Sequence, residues 1–355
     1  MKDEYLYLWA QWGILNFEQY QFVLKEFGDL ETAWKKISRT FLLKIGMGSE
    51  KIDRILKIKN RISFHDMMKT MEDFNVQLLS VGDNDYPSLL KSIHDPPPFL
   101  FVRGKLPLLH KSLAVVGTRG ITDYGQMVTE KLTSDLVRNG FVVVSGLAFG
   151  VDSCAHQAAL KNNGMTIAVL GTGIDKIYPS ANYHLAQDII KYGGAVISEY
   201  PLGSPALTHH FPKRNRIISG LSQGILVVEG GVKSGALITA RQALEQGREV
   251  FAVPNNITKV SLSGTNHLIR RGEAKLVERV KHILEEFQME PAQQQMQFDF
   301  NDREKTILTN LSVGGKTMDE LIIETSYSIS QLSEILTNLN LKGAVHEEGN
   351  RWVLS

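Results

Sequence analysis

The chain is poor in the features that would settle its class at once. It has 355 residues and one cysteine, Cys154, so no internal disulfide framework braces it, which fits a reducing compartment. No stretch approaches the roughly 18–20 apolar residues that a membrane-spanning helix needs. The opening MKDEYLYLWAQWG puts acids where a signal peptide carries positive charge. The expectation is a cytoplasmic protein without a membrane partner. Excess charge is missing too: 39 basic residues against 38 acidic ones leave a formal net charge of +1. A protein that coats nucleic acid by bulk charge is far more basic, so DNA binding, if it occurs, must come from a local patch. No His/Cys cluster has metal-ligand spacing, and no cofactor is expected.

What is present is ordinary globular material, 43% hydrophobic and 22% charged, long enough for two or three domains. Residues 1–75 read as helical: Leu6, Leu8, Trp9, Ile14, Phe17, Phe22, Leu24 and Phe27 recur at three- and four-residue steps. Ile45-Gly46-Met47-Gly48 reads as a plain helix connector, with phosphate binding by its backbone as the lesser alternative. Asp95-Pro96-Pro97-Pro98 forces extended backbone and marks a boundary.

From about 100 to 285 short β-rich runs (Leu113–Val116, Phe141–Val144, Thr166–Leu170, Ala195–Ser198, Gly224–Val228, Glu249–Val253) alternate with helix-like stretches (Tyr124–Asn139, Val151–Asn162, Tyr183–Lys191, Ala236–Gln246). Strands apolar on both faces, alternating with helices, predict an α/β fold with a doubly wound, mainly parallel, Rossmann-like sheet. Such sheets bind ligands at the carboxyl ends of their strands. That is where Gly117-Thr118-Arg119, Ser145-Gly146, Gly171-Thr172-Gly173, Ser198-Glu199 and Glu229-Gly230-Gly231 fall. The domains are therefore drawn as 1–75 helical, 76–285 Rossmann-like, 286–302 a glutamine-rich linker and 303–355 a winged helix. The last segment reads as three helices and a hairpin. Its net charge is near −3 counted from Asp302, which argues for a protein-contact or regulatory role over DNA readout.

Several familiar signatures fail. Gly314-Gly315-Lys316-Thr317 lacks the first P-loop glycine, since Asn310 stands there. Gly171-x-Gly173 is followed by Lys176 where the dinucleotide fingerprint has glycine. Ser145-Gly146 lacks the flanks of a nucleophile elbow. The strongest positive signal is His209-His210-Phe211-Pro212-Lys213-Arg214-Asn215-Arg216, with Lys213, Arg214 and Arg216 as three cations beside one ring and no acid. Basic residues at a helix start oppose the macrodipole, so an anion accounts for them better than stability does. Cations neutralise phosphates while a ring offers a base a stacking face. The second signal is Glu229–Arg241: small residues between strand and helix let backbone N–H groups reach a phosphate, with Lys233 and Ser234 as added donors. Arg119 is a third, leaving a strand at the binding edge. In Ser145–His156 the i, i+4 pair Asp152 and His156 suggests a structural Asp–His hydrogen bond, with Cys154 in the core.

These strings closely resemble the DprA/Smf family of DNA-processing proteins. The resemblance rests on VVGTR (115–119), SGLAFGVDSCAHQAAL (145–160), TIAVLGTGIDKIYPSAN (166–182), GAVISEYPLG (194–203), FPKRNRIISGLS (211–222), VVEGGVKSGALITARQALEQGREVFAVP (227–254) and GTNHLIRRGEAKLV (264–277). It implies an extended Rossmann-like core flanked by a SAM/HhH-like helical domain and a winged helix. It also implies a homodimer that binds single-stranded DNA without enzymatic chemistry, displaces single-strand-binding protein and loads the RecA recombinase in natural transformation. The DNA site carries over to Arg119, Ser145, Gly146, Phe211, Lys213, Arg214, Asn215, Arg216, Ser234, Gly235 and Ala236, beside Lys233. Dimerisation falls to Leu268 and Ile269. One departure is Asn255, where the family usually has glycine; asparagine tolerates left-handed backbone, so the turn survives.

Two rival readings differ in class. One is a nucleotide-processing phosphoribohydrolase of the lysine-decarboxylase-like type, with Arg119 and Glu229 as a catalytic pair, although the glutamate of that family's glycine loop has no counterpart here. The other is an interaction hub centred on the acidic winged helix.

Overall fold

A computed structural model describes residues 4–290, 300–312, 314–342 and 344–354. The chain divides into two compact units, 1–292 and 293–355. The glutamines of the expected linker, within 291–299, lie outside the described residues.

The first unit opens with six helices: α1 (Glu4–Trp12), α2 (Phe17–Phe27), α3 (Leu30–Lys36), α4 (Arg39–Lys44), α5 (Ser49–Lys59) and α6 (Phe64–Asp73). Asn16, Asp29, Ser38 and Ser63 cap four of them with side-chain oxygens, satisfying N–H groups that a helix start leaves bare. Trp9, Trp12 and Trp34 meet at centroid distances of 5.2–5.5 Å, and each of the first two indoles donates to a backbone carbonyl at 3.0 Å. These helices share one continuous apolar core with the sheet that follows, so the segment read as a separate domain packs as part of a larger unit. In the Ile45–Gly48 connector the N–H groups of Gly46 and Met47 donate to Leu43 and Leu42. They close α4 and are not free for an anion.

Next come β1 (Val76–Ser80), α7 (Ser88–Lys91) and β2 (Phe99–Gly104), which the sequence patterning had not resolved. Pro96–Pro98 are buried between β1 and β2, and the Tyr86 hydroxyl donates to Pro97 O at 2.8 Å. The prolines therefore sit inside the unit and mark no boundary. The Rossmann-like part follows: β3 (Ser112–Val116), α8 (Asp123–Arg138), β4 (Val142–Ser145), α9 (Val151–Lys161), β5 (Thr166–Leu170), α10 (Tyr183–Lys191), β6 (Ala195–Ser198), α11 (His210–Gly220), β7 (Gly224–Val227), α12 (Gly235–Glu245), β8 (Glu249–Ala252), α13 (Gly264–Arg270), β9 (Lys275–Leu276) and α14 (Val280–Glu286). The sheet order is β1-β2-β6-β5-β4-β3-β7-β8-β9. All pairings from β6 to β9 are parallel, and β1 and β2 extend the sheet antiparallel.

Alternation along β3 divides the core, as a period of two requires. Leu113 and Val115 meet α8, α9 and α14 on one face. Ala114 and Val116 join α11 and α12 on the other. Successive strands step from β3 toward β6, and then the chain returns to add β7 on β3's opposite side. That reversal opens a crevice at the carboxyl ends of β3 and β7, the usual ligand position of this architecture. Phe287 and Met289, placed by the sequence reading in the linker, still pack on the α8–α14 face.

The second unit comprises α15 (Asp302–Leu311), α16 (Met318–Thr325), α17 (Ile329–Leu341), β10 (Val345–Glu348) and β11 (Arg351–Leu354) around its own small core. Asn301, Thr317 and Ser328 each form reciprocal caps with a Glu or Gln three residues on. Three helices and a hairpin make the expected winged helix.

Candidate nucleic-acid interface

A cleft of about 530 Å³ opens at the β3/β7 crevice. Its walls are Gly117, Thr118 and Arg119 after β3, Phe211, Pro212, Arg214 and Asn215 of α11, and Ser234, Gly235, Ala236 and Thr239 at the start of α12, with Tyr178 from the β5–α10 loop. Close packing around the backbone explains two glycines. A Cβ on Gly117 would lie 2.4 Å from Val151, and one on Gly150 would lie 2.3 Å from Thr118 O. Any side chain at either position would push the β3 and β4 loops apart.

Arg119 pairs with no carboxylate among the described residues, and its guanidinium carbon lies 5.7 Å from the Phe211 ring centroid. That ring rests on the bare face of Gly171, where a Cβ would come within 2.9 Å of it. Across the cleft, α12 begins without a side-chain cap: Ser234 occupies the cap position but makes no such bond, and its enclosed hydroxyl has no partner. The first N–H groups of the helix, at its positive end, are thus open to an anion.

The three cations of Lys213–Arg216 do not form one patch. They lie on α11, where successive side chains point about 100° apart. Lys213 faces outward, 3.7 Å from Glu199 Oε2. Arg216 turns back, bonds Glu199 at 2.7 Å through both terminal nitrogens and sits 3.3 Å from Asp95. The sequence window held no acid, yet the fold supplies two from elsewhere. Arg214 points into the protein: it is 4% exposed, donates to Gly146 O at 2.7 Å and bonds Val169 O. Burial pulls its pKa down to about 10, against the pull of Asp152. Gly146 has no room for a side chain because the Arg214 guanidinium and the Asp152 carboxylate fill that place, at 2.6 and 2.7 Å from an added Cβ.

Other predicted residues separate similarly. Ser145 is fully buried and donates to Val115 O at 2.7 Å. Lys233 is exposed outside the cleft lining. Asn215 and Ser234–Ala236 line the cleft as expected, and Gly146 lines a small adjoining slot. Of the pair expected at a dimer contact, Leu268 is buried in its own chain's core and Ile269 is half-exposed. Tyr178, missed from sequence, stands 5.5 Å from Phe211. Its signal was an aromatic before proline in a strand-to-helix loop at the binding edge.

The expected Asp152–His156 hydrogen bond is absent. Asp152 accepts instead from the N–H groups of Gly146 and Ala148 at 3.2 and 3.4 Å; burial raises its pKa against the opposing charge of Arg214. His156 Nδ1 lies 2.7 Å from Thr166 Oγ1, which itself donates to Val143 O. The ring therefore carries its proton on Nδ1, and burial, then Arg214, push its pKa down to about 3. Asn255 does not take left-handed backbone; its amide reaches Glu229 at 3.3 Å. Glu229 is fully buried and accepts from the Thr122 amide and hydroxyl at 3.0 and 2.8 Å. It fixes the start of α8 to the end of β7, and it does not meet Arg119 in the cleft. Among the described residues no His/Cys/Asp/Glu cluster could hold a metal, and no helix is long and apolar enough to cross a membrane.

The family model for DNA recombination-mediator protein A matches residues 77–288, the whole sheet that builds this cleft. The chain belongs to that family. The model of the DprA winged helix domain matches residues 290–350. The chain is 46% identical over 213 residues to the DNA processing protein DprA of Bacillus subtilis, covering 59% of this chain and 71% of that one. It is 43% identical over 253 residues to Protein Smf of Escherichia coli, covering 71% and 67%. The crystal structure of DprA from Streptococcus pneumoniae matches with a TM-score of 0.66 at 37% identity, covering 84% of this chain and 99% of that one. A Helicobacter pylori family member whose structure concerns its single-stranded DNA binding mode matches with a TM-score of 0.55 at 30% identity, over 61% and 96%.

Proposed function

We propose that this protein binds single-stranded DNA in the β3/β7 cleft and does no chemistry on it. The observation that carries the reading is Arg119: a cation with no acid partner among the described residues, stacked on Phe211 and lining one cleft with the uncapped start of α12. Phosphates lie between Arg119 and the N–H groups of Gly235 and Ala236, and a base lies against Phe211. Arg214 and Ser145 hold the floor from beneath. Lys213 and Arg216 shape α11 through Glu199, and Lys233 adds long-range attraction only. The single-strand mode named for the Helicobacter pylori relative supports the choice of ligand.

From the family we further infer a cytoplasmic homodimer, with Ile269 at its contact, that displaces single-strand-binding protein and loads the RecA recombinase during natural transformation. The test of binding is fluorescence anisotropy of labelled oligothymidine and of a duplex, at low and moderate salt. Wild type should bind the single strand preferentially and with salt sensitivity. Arg119→Ala should lose at least about tenfold, with the salt slope reduced by about 0.7 for each phosphate no longer neutralised. Equal binding by wild type and Arg119→Ala would overturn the site. Loading is tested by recombinase filament growth on strands coated with single-strand-binding protein, which this protein should accelerate.

A further inference from the structure

Two rings beside the cleft are left without a role by the arrangement above. Phe149, in the β4–α9 loop, is 48% exposed, and Tyr178, in the β5–α10 loop, is 47% exposed. Both line a slot that adjoins the main cleft, shared with Arg119, Gly146 and Phe211. Tyr178 and Phe211 line both spaces, together with Arg119, Ala148 and Arg214. A single half-exposed ring is ordinary on a protein surface. Two that share a slot with a stacked arginine at a strand-end crevice call for a binding explanation, because apolar faces left in water gain nothing for stability.

The loops that carry these rings are interlocked. Asn182, four residues after Tyr178, donates to Leu147 O at 2.8 Å, two residues before Phe149. Leu147 itself is buried in left-handed backbone, with φ 58°, a conformation a bulky residue holds only when its surroundings fix it. Gly150, next to Phe149, lies against the carbonyls of Thr118 and Arg119 so closely that a Cβ would meet them at 2.3 and 2.7 Å. Thr172 ties the base of the Tyr178 loop by donating to Lys176 O at 2.5 Å. The loops after β3, β4 and β5 therefore hold Arg119, Phe149 and Tyr178 in fixed relation before any ligand arrives. Rings whose backbone is already fixed lose less freedom on binding.

We propose that Phe149 and Tyr178 form a preorganised aromatic ledge that stacks a second nucleobase of the bound strand, next to the one on Phe211. This rests on the single-strand reading above. Stacking on aromatic side chains is tolerant of base identity, since every base has a π-face, so the ledge extends the footprint without adding sequence preference. Arg119 stands between the two base positions, where it meets the phosphate that joins them.

The test is an abasic scan on the full-length protein: oligothymidines with one base removed at successive positions, titrated by anisotropy. Wild type should lose about tenfold at each of two neighbouring positions, the scale of a single base–ring stack. Phe149→Leu/Tyr178→Leu should bind the intact strand about tenfold more weakly and should be indifferent to the abasic site at one of those two positions only. Tyr178→Phe, which keeps the ring, should bind as wild type. A double variant that binds the intact strand within twofold of wild type, or a Tyr178→Phe as weak as Tyr178→Leu, overturns the ledge. If Arg119→Ala still loses binding in the same assay, the ledge alone has failed. If wild type does not bind the single strand, both readings fall.

Discussion

Arg214 donates to the carbonyl oxygen of Gly146 at 2.7 Å from directly beneath the cleft. It joins the ends of β4 and β5, since it also bonds Val169 O, and it is the counter-ion of buried Asp152. Arg214→Ala would take this donor from two carbonyls inside the protein and the counter-charge from the buried Asp152 carboxylate. Removing one member of a buried charge pair costs about 3–5 kcal/mol. Urea unfolding should show a loss of that size for Arg214→Ala. Arg119→Ala, which breaks no internal bond, should stay within about 0.5 kcal/mol of wild type. The two arginines thus separate scaffold from ligand contact.

Gly171 sets the height of the Phe211 ring. A methyl there would lie 2.9 Å from it, so Gly171→Ala should tilt the ring toward Tyr178 and weaken oligothymidine binding by about five- to tenfold, part of what one base–ring stack supplies. Circular dichroism should remain that of the wild type. Unchanged affinity would mean that the ring's position does not matter for binding.

The contrast between Arg214 and Arg216 shows where sequence reading stops. The alternation of the strands and the glycine-rich strand ends made the sheet, its crevice and most of the cleft wall legible, because those follow from local periodicity. The short strands β1 and β2 were not, since Pro96–Pro98 look like a break when their buried neighbours are unknown. The run Lys213–Arg216 reads as one basic patch on paper, but helical rotation turns Arg214 inward, while Lys213 and Arg216, three residues apart on one face, both meet Glu199. Glu199, which captures Arg216, lies 17 residues away in sequence. Pairing of that kind is a property of the folded sheet.

His156 makes stability depend on pH. Its pKa is about 3 in the folded protein and about 6.5 unfolded. Above pH 6.5 both states are neutral and the group contributes nothing. Below it the unfolded chain takes up a proton that the folded one refuses, so stability falls as pH falls. Between pH 7 and pH 5 the loss from this group is about 2 kcal/mol. Asp152, whose pKa is raised, works in the opposite sense, so the measurement must be a difference. His156→Asn keeps a donor toward Thr166 and cannot titrate there. Urea unfolding of both proteins at pH 7 and pH 5 should show a smaller acid loss in the variant, by about that amount.

The winged helix has its own core and an excess of acid. A protein ending at residue 292 should keep single-strand affinity within twofold and an unchanged salt slope. A loss of tenfold or more on truncation would show that the second unit touches DNA.

The cleft has no local origin in the chain. Its lining runs from Val116 to Thr239 and meets only because β7 returns to pair with β3. A strand lying across it would act as a staple over the joint at which the sheet changes direction. Binding and folding then share one equilibrium: saturating DNA should raise the unfolding midpoint, as any ligand of the native state alone must. Fraying of the β3–β7 seam should in turn let the strand go as a whole, without a nucleotide-by-nucleotide retreat.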